Sequence, residues 1–423
     1  MTSKERIQAA LNHEQSDKVP VDLGSTTVTG MHASTMTKFR KALGLEDRLV
    51  KVEEPFQILG MVEQDLRDAL QVDVVGISPI NTFFGFKNDG WVDWMLQDGT
   101  KVLASKNMLL KEDANGDLLM FPQSNPNVPP SARLPKGGYY FDTIVRQEEI
   151  DEDNTNGRAD FINDYALMTD EELDHIKKTV DDYYRNTEYA MVGIFGGGGF
   201  GDASIIPGPG MIETPGVRKL EDWLMWHLLS PEYIKDVFAY QTEICIKNLE
   251  LYYQAAGNKL DIIYISGTDY GTQKGEFISP DLFREFYKGN IKLINDWVHK
   301  NTPWKTFFHS CGSIVNLLDD FADAGVDILN PVQISANGMD ARMLKEKYGS
   351  KFTFWGAAID TQRVLPFGTP EEVAAQTRER LELFSKGGGF VCASIHNVQP
   401  NTPVENLLAF YNTIHEFNRS SEK

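Results

Sequence analysis

The feature that most narrows what this chain can fold into is a recurrence. Short runs rich in β-branched and aromatic residues end on Gly, Pro, Asn or a polar residue, and stretches of helical periodicity fall between them. Eight such runs can be marked: VPVDLG (19–24), VDVVGI (72–77), YAMVGIF (189–195), DIIYISG (261–267), KTFFHSC (305–311), VDILNP (326–331), KFTFWGA (351–357) and GFVCAS (389–394). Parallel strands need long crossovers, usually helices, so the alternation predicts parallel βα units. Eight units predict an α/β fold of the closed (β/α)8 TIM type, and one such barrel can accommodate all 423 residues.

The intervening helices carry start signals. Ser279-Pro280, Thr369-Pro370 and Thr402-Pro403 each place a capping hydroxyl before a proline in the first turn, predicting helices to about Lys300, over 370–385, and to about Asn418. Further helices are expected over 55–70, 218–228 and 231–255. Residues 82–160 break the pattern. They are rich in aromatics, Gly and Pro, and Asp98-Gly99 and Asn115-Gly116 predict hairpin turns between WVDWML, KVLASKN and DLLMFPQ. The stretch 122–138 is expected to be an extended loop. The whole of 82–160 is therefore an insertion after the second strand, which a barrel would hold at its C-terminal mouth.

Composition excludes some functions. No run of 18 or more apolar residues is present, so a membrane-spanning helix is not expected. The polar, helical opening MTSKERIQAALNHE has no apolar signal core, which points to the cytoplasm. A formal net charge of −20 without a dense Lys/Arg cluster argues against nucleic-acid binding. Three cysteines, Cys245, Cys311 and Cys392, do not make a disulfide framework.

The chemistry concentrates at strand ends. His309 and Cys311 share one face of the fifth strand, at the end that opens into a barrel's active site. Their nitrogen and sulfur are donors that zinc prefers, and Cys392, near the end of the eighth strand, offers a third ligand. Three protein ligands leave one position open, the mark of a catalytic zinc. Asp269 and Gln273, after the fourth strand, are candidates to orient a ligand or a metal-bound group. Asp22, Asp360, His396 and Asn397 also lie at strand ends, where each has a plain structural reading as a turn or loop residue. Gly196–Gly199 allow close backbone approach but match neither a Walker loop nor a dinucleotide fingerprint. Cys245, in a helical stretch, is expected in the core.

These segments resemble the uroporphyrinogen decarboxylase superfamily, and more closely its zinc- and corrinoid-linked methyltransferase branch. The resemblance runs through KERIQAALNHEQSDKVPVDLG, SGTDYGTQKGEFISPDLFREFYKGNIKLI, HSCGSIVNLLDDFADAGVDILNPVQ and FTFWGAAIDTQRVLPFGTPEEV to the closing Cys392 segment. Of two adjacent acids common in the family before Gly-Thr-Gln, only Asp269 is kept, following Thr268. The resemblance implies a zinc ion on His309, Cys311 and Cys392, and a corrinoid carried by a separate partner protein, since no Asp-x-His-x-x-Gly segment is present. Related barrels often pair, so a homodimer is also implied. The decarboxylase branch fits less well: VDLGSTTVTGMHAS follows the first strand with no arginine before Arg40. The expected activity is zinc-assisted activation of a small-molecule methyl donor for transfer to the corrinoid's cobalt. Trp91, Trp94, Phe83, Phe84 and Phe86 are candidates either to line a pocket for a methoxylated compound or to form the insertion's own core. Methylation of a thiol from methylcobalamin, a decarboxylase-like reaction, and tetrapyrrole or corrinoid binding without catalysis stand as alternatives.

Overall fold

A computed structural model describes residues 1–151 and 155–421; residues 152–154, within the expected insertion, lie outside the described residues. Seven parallel strands form one sheet in chain order: Val74–Ile77, Ala190–Ile194, Ile262–Ser266, Lys305–His309, Ile328–Asn330, Thr353–Ala357 and Phe390–Ala393. The eighth position is filled by the segment around Val21. Val21 bridges Cys392 in parallel, Cys392 N donates to Pro20 O (2.8 Å), and Asp73 N donates to Val21 O (2.9 Å). The barrel is thus closed by a single bridge where a full strand was expected over 19–24. Pro20 lacks an amide hydrogen to extend the ladder. On the other side Asp22 turns the chain, accepting hydrogen bonds from Ser25 N (3.1 Å) and Ser25 Oγ (2.9 Å).

Side chains alternate across this sheet. Val74, Val192, Ile262, Tyr264, Phe307, Ile328, Trp355, Val391 and Ala393 pack together inside the barrel. Their chain neighbours Val75, Met191, Ile263, Phe308, Leu329, Phe354 and Cys392 belong to the cluster between strands and helices. The opening helix Ser3–Leu11 begins with a capping box of Thr2 and Glu5 and sends Ile7, Ala10 and Leu11 into the inner cluster, plugging the end opposite the mouth.

Three helix expectations change. The helix expected over 55–70 is only Gln64–Leu70, with Leu59–Gly60 pairing against Val52–Glu54. The crossover into the third strand is Asp170–Asn186, which opens with a capping box of Thr169 and Glu172. The helix starting at Pro280 widens into a π-type turn over Phe283–Lys288 before continuing as Gly289–Asn301. No helix among the described residues is long and apolar enough to cross a membrane.

The insertion contains a hairpin, Trp91–Met95 with Lys101–Ser105, and a four-stranded antiparallel sheet of Leu110–Glu112, Leu118–Met120, Ala132–Leu134 and Asp142–Thr143. Ala132–Leu134 therefore lies within the stretch expected to be loop. Phe84 and Phe86 are buried and stacked on each other, and Phe84 meets Phe56 and Phe141. Of these aromatics Phe84 and Phe86 join the main hydrophobic core, Phe83 is exposed, and none of Trp91, Trp94, Phe83, Phe84 or Phe86 lines the mouth cavity. The residues that do reach it are Tyr139 and Tyr140.

Candidate metal centre

His309 is the last residue of its strand and faces inward, as Phe307 does. Its ring is oriented from behind. Asn330, directly opposite on the next strand, donates through Nδ2 to Trp355 O (2.7 Å), which leaves its Oδ1 to accept from His309 Nδ1 (2.5 Å). Asn330 thus holds a proton on Nδ1, and Nε2 is the nitrogen that faces the mouth and would bind a metal on losing its own proton. Cys311 Sγ lies 3.3 Å from that Nε2. Asp269 Oδ1 lies 3.5 Å from it and also accepts from Cys311 N (2.7 Å). The loops carrying these residues touch backbone to backbone, since a Cβ on Gly271 would stand 2.8 Å from the carbonyl oxygens of Cys311 and Ser313.

The third donor is His396. Ligand atoms of His309, Cys311 and His396 all lie within 4.8 Å of one another. Asn397 holds His396's loop in place: its Oδ1 accepts from Gly30 N (2.5 Å), while its Nδ2 donates to Thr27 O and Gln57 Oε1, both at 2.9 Å.

Cys392, expected as the third ligand, is not in this group. It lies between Val391 and Ala393, which face the barrel interior, so its own side chain points outward among the helices, fully buried. Burial pushes its thiol well up, keeping it protonated. Gln273 is exposed on the wall of the mouth cavity. Asp360 caps its own loop, accepting from Gln362 N (2.8 Å), and Cys245 is a buried core residue of the helix Pro231–Ala256. The four-glycine run lets Gly198 N donate to Ile265 O (3.0 Å), laying the chain against the neighbouring strand. It also brings the half-buried Asp202 near the site, where desolvation raises its carboxyl to about 7.

The electrostatics suit a cation. Burial opposes charge on His309, yet the Cys311 sulfur and the Asp269 carboxylate outweigh it and raise the imidazole well above its ordinary range. Burial likewise opposes charge on Asp269, but His309 holds it below the ordinary value. Burial pushes Cys311 up against the pull of His309. His396 is pushed down to about 4 by burial and by His309, leaving a neutral imidazole at neutral pH. Two imidazole nitrogens and one thiolate sulfur form a donor set that fits zinc with one position open, and the Asp269 carboxylate stands beside it. Sequence reasoning weighed His396 only as a lone loop histidine and passed over Asn330.

A model of the uroporphyrinogen decarboxylase (URO-D) family matches residues 168–417, more than half of the sequence and all three clustered residues. The chain belongs to the URO-D family. No curated protein matches it significantly. Among solved structures, a methyltransferase from Methanosarcina mazei superposes with a TM-score of 0.58 at 19% identity, covering 99% of each chain. At that identity the likeness bears on the fold, which is the TIM-type α/β barrel the URO-D family shares. Within this URO-D barrel the strand order, the mouth-side insertion and the convergence of His309, Cys311, His396 and Asp269 describe one site.

Proposed function

We propose that this chain is a methyltransferase of the zinc- and corrinoid-linked branch of its family, acting on a small-molecule methyl donor. The observation that carries the reading is the cluster of His309, Cys311 and His396, with Asp269 beside it, at the mouth of the barrel. His309, Cys311 and His396 would hold the zinc and leave a fourth position for the donor, and the thiolate together with the neighbouring Asp269 carboxylate would balance its two charges. Bound there, zinc supplies Lewis acidity to a donor's leaving atom. Asn330 keeps the His309 lone pair aimed at the site, and Asp269 ties the Cys311 loop in place through the amide of Cys311. In that reaction the methyl–heteroatom bond of the donor would break, the heteroatom keeping the electron pair and taking a proton from water, and the reduced corrinoid of a separate protein would supply the electron pair that accepts the methyl group. A decarboxylase acting on a polycarboxylate is disfavoured, because no arginine lines the cavity that contains Cys311 and His396.

The test is metal content. Purified protein should carry about one zinc per chain. Cys311→Ala and His396→Ala should lose it while remaining folded by circular dichroism, and Cys392→Ala should retain it. Stoichiometric zinc in the His396→Ala/Cys311→Ala double variant would refute the site. The transfer itself is read by mixing the protein with reduced corrinoid protein and candidate donors and following the cobalt absorbance. Methylation of a thiol from methylcobalamin, with no donor active in the forward direction, would select thiol methylation instead.

A further inference from the structure

The cavity beside Cys311 and His396 has a volume of about 700 Å³, enough for a ring-bearing small molecule. Its walls are distinctive for what they lack: none of the residues lining it is Asp, Glu, Lys or Arg. The nearest depression that holds charged residues, with Arg363, Glu372 and Glu379, shares only Phe367 with it. Asp269 stands at the Cys311 end, bonded to the Cys311 amide, and two further carboxylates are engaged elsewhere. Asp22 is held by Trp355 Nε1 (2.8 Å) and Ser25, Glu54 accepts from Phe56 N (2.7 Å) and Gln57 N (2.8 Å), and neither lines the cavity.

In place of charge the walls carry amides and aromatic rings. Gln333 Oε1 accepts from Gly312 N (2.7 Å) and Gln362 Oε1 accepts from Ser335 Oγ (3.0 Å), so each has its NH2 group left to offer. Gln399 Nε2 donates to Asn397 O (2.9 Å), which leaves its carbonyl oxygen. Tyr139 and Tyr140 form a wall supplied by the insertion. Tyr139 is pinned there: its Oη accepts from Asn401 Nδ2 (2.6 Å) and its carbonyl from His32 Nε2 (2.9 Å).

We propose that this cavity takes an uncharged, ring-bearing compound, read by the amides of Gln333, Gln362 and Gln399 and faced by Tyr139 and Tyr140, and that it discriminates against both anions and cations. Away from the corner where Cys311 and Asp269 meet, an ion entering it would lose hydration without meeting a counter-charge. The inference rests on the methyl-donor reading above and narrows it, setting aside protonated amines and donors or thiols that carry an acidic group.

A matched series tests this: 4-methoxybenzyl alcohol (uncharged), 4-methoxybenzoate (anion) and 4-methoxybenzylamine (cation), titrated at pH 7.5 by ligand-observed NMR against chelator-treated and zinc-loaded protein. The alcohol should bind saturably, at least about tenfold more tightly than either ion. Tyr140→Ala, which removes a partly exposed ring, should weaken the alcohol. Gln362→Glu, which keeps the shape, should shift preference toward the amine. No saturable binding of the alcohol, equal or tighter binding of either ion, or no shift in Gln362→Glu would each overturn the proposal. Running the series on metal-free protein separates the two readings. Failure of the zinc site would leave the charge preference intact, and failure of the pocket would leave zinc content unchanged.

Discussion

Asn330 shows how one side chain away from the mouth can set the chemistry within it. Its amide is oriented by the carbonyl of Trp355, and it in turn fixes the proton of His309 on Nδ1. Outer-shell partners of this kind typically contribute ten- to a hundredfold in metal affinity. Asn330→Ala should therefore lower zinc affinity by about one to two orders of magnitude, read by competition with a chromophoric chelator. Equal affinity in wild type and Asn330→Ala would remove Asn330 from the site. At this scale His309, Cys311 and Asp269 were legible in the sequence, and His396 was noted only as a loop residue. His309 and Cys311 stand two apart at a strand end, and alternation puts them together. Cys392 was expected as the third ligand because the strand Phe390–Ala393 has no polar residue to mark one face, so nothing in the sequence tells which of its alternating residues face inward. The strand turns Val391 and Ala393 inward and Cys392 outward, and the loop beyond supplies His396 instead. Asn330 was hidden for another reason: its role depends on pairing with His309 across strands, which spacing within one strand does not encode.

Two loops make the site possible as elements. Those after Ile262–Ser266 and Lys305–His309 meet at Gly271 and Gly312, and Ser313 N donates to Thr272 O (2.7 Å) across the junction. Gly312 has φ +87°, and a Cβ there would collide with the backbone of Gly271. Gly44 is a natural control, with φ +68° and open space around its would-be Cβ. Gly44→Ala should cost about 1 kcal/mol, the conformational term alone. Gly312→Ala should cost about 1–3 kcal/mol more from overpacking, and should also weaken zinc binding by displacing Cys311. Denaturant unfolding of both variants checks this, and equal losses would show that the loops can part freely. The barrel strands could be anticipated because each is a β-rich run with clear ends. The helix Asp170–Asn186 was missed although Thr169 and Glu172 form a capping box before it, since its charged surface dilutes the apolar pattern to buried Ile176 and Val180. The insertion's hairpin turns followed from Asp-Gly and Asn-Gly, but the packing of its aromatics among themselves is tertiary and left no local mark.

For the molecule as a whole, the carboxylates divide into two groups that set its stability against pH. Arg6 and the N-terminal amine outweigh burial to hold Asp17 at about 2, and Arg40 holds Asp65 at about 2. These depressed groups stabilise the fold above the ordinary carboxylate range, and that contribution is lost as pH falls toward 2. Asp22 and Glu54 do the reverse. Burial raises Asp22 from 3.8 to about 6 and Glu54 from 4.5 to about 7. Between the unfolded and folded values the native chain holds a proton that the unfolded chain has released, so raising the pH through that window removes stability. For Asp22, a shift of this size corresponds to about 3 kcal/mol lost between roughly pH 4 and pH 7. The net charge of −20 at pH 7 adds self-repulsion in the same direction. The protein should thus be most stable in mildly acidic solution, about pH 4–5, with stability declining toward pH 7.5. Thermal and urea unfolding of chelator-treated protein across pH 3.5–8 reads the profile without contribution from the metal centre. In Asp22→Asn the amide oxygen still accepts from Trp355 Nε1 or Ser25 but cannot ionise, so the fall between pH 4 and pH 7 should shrink by about 3 kcal/mol. A wild-type profile that rises toward pH 7.5, or an Asp22→Asn profile parallel to wild type, would show that the buried carboxyl beneath the mouth does not govern the decline.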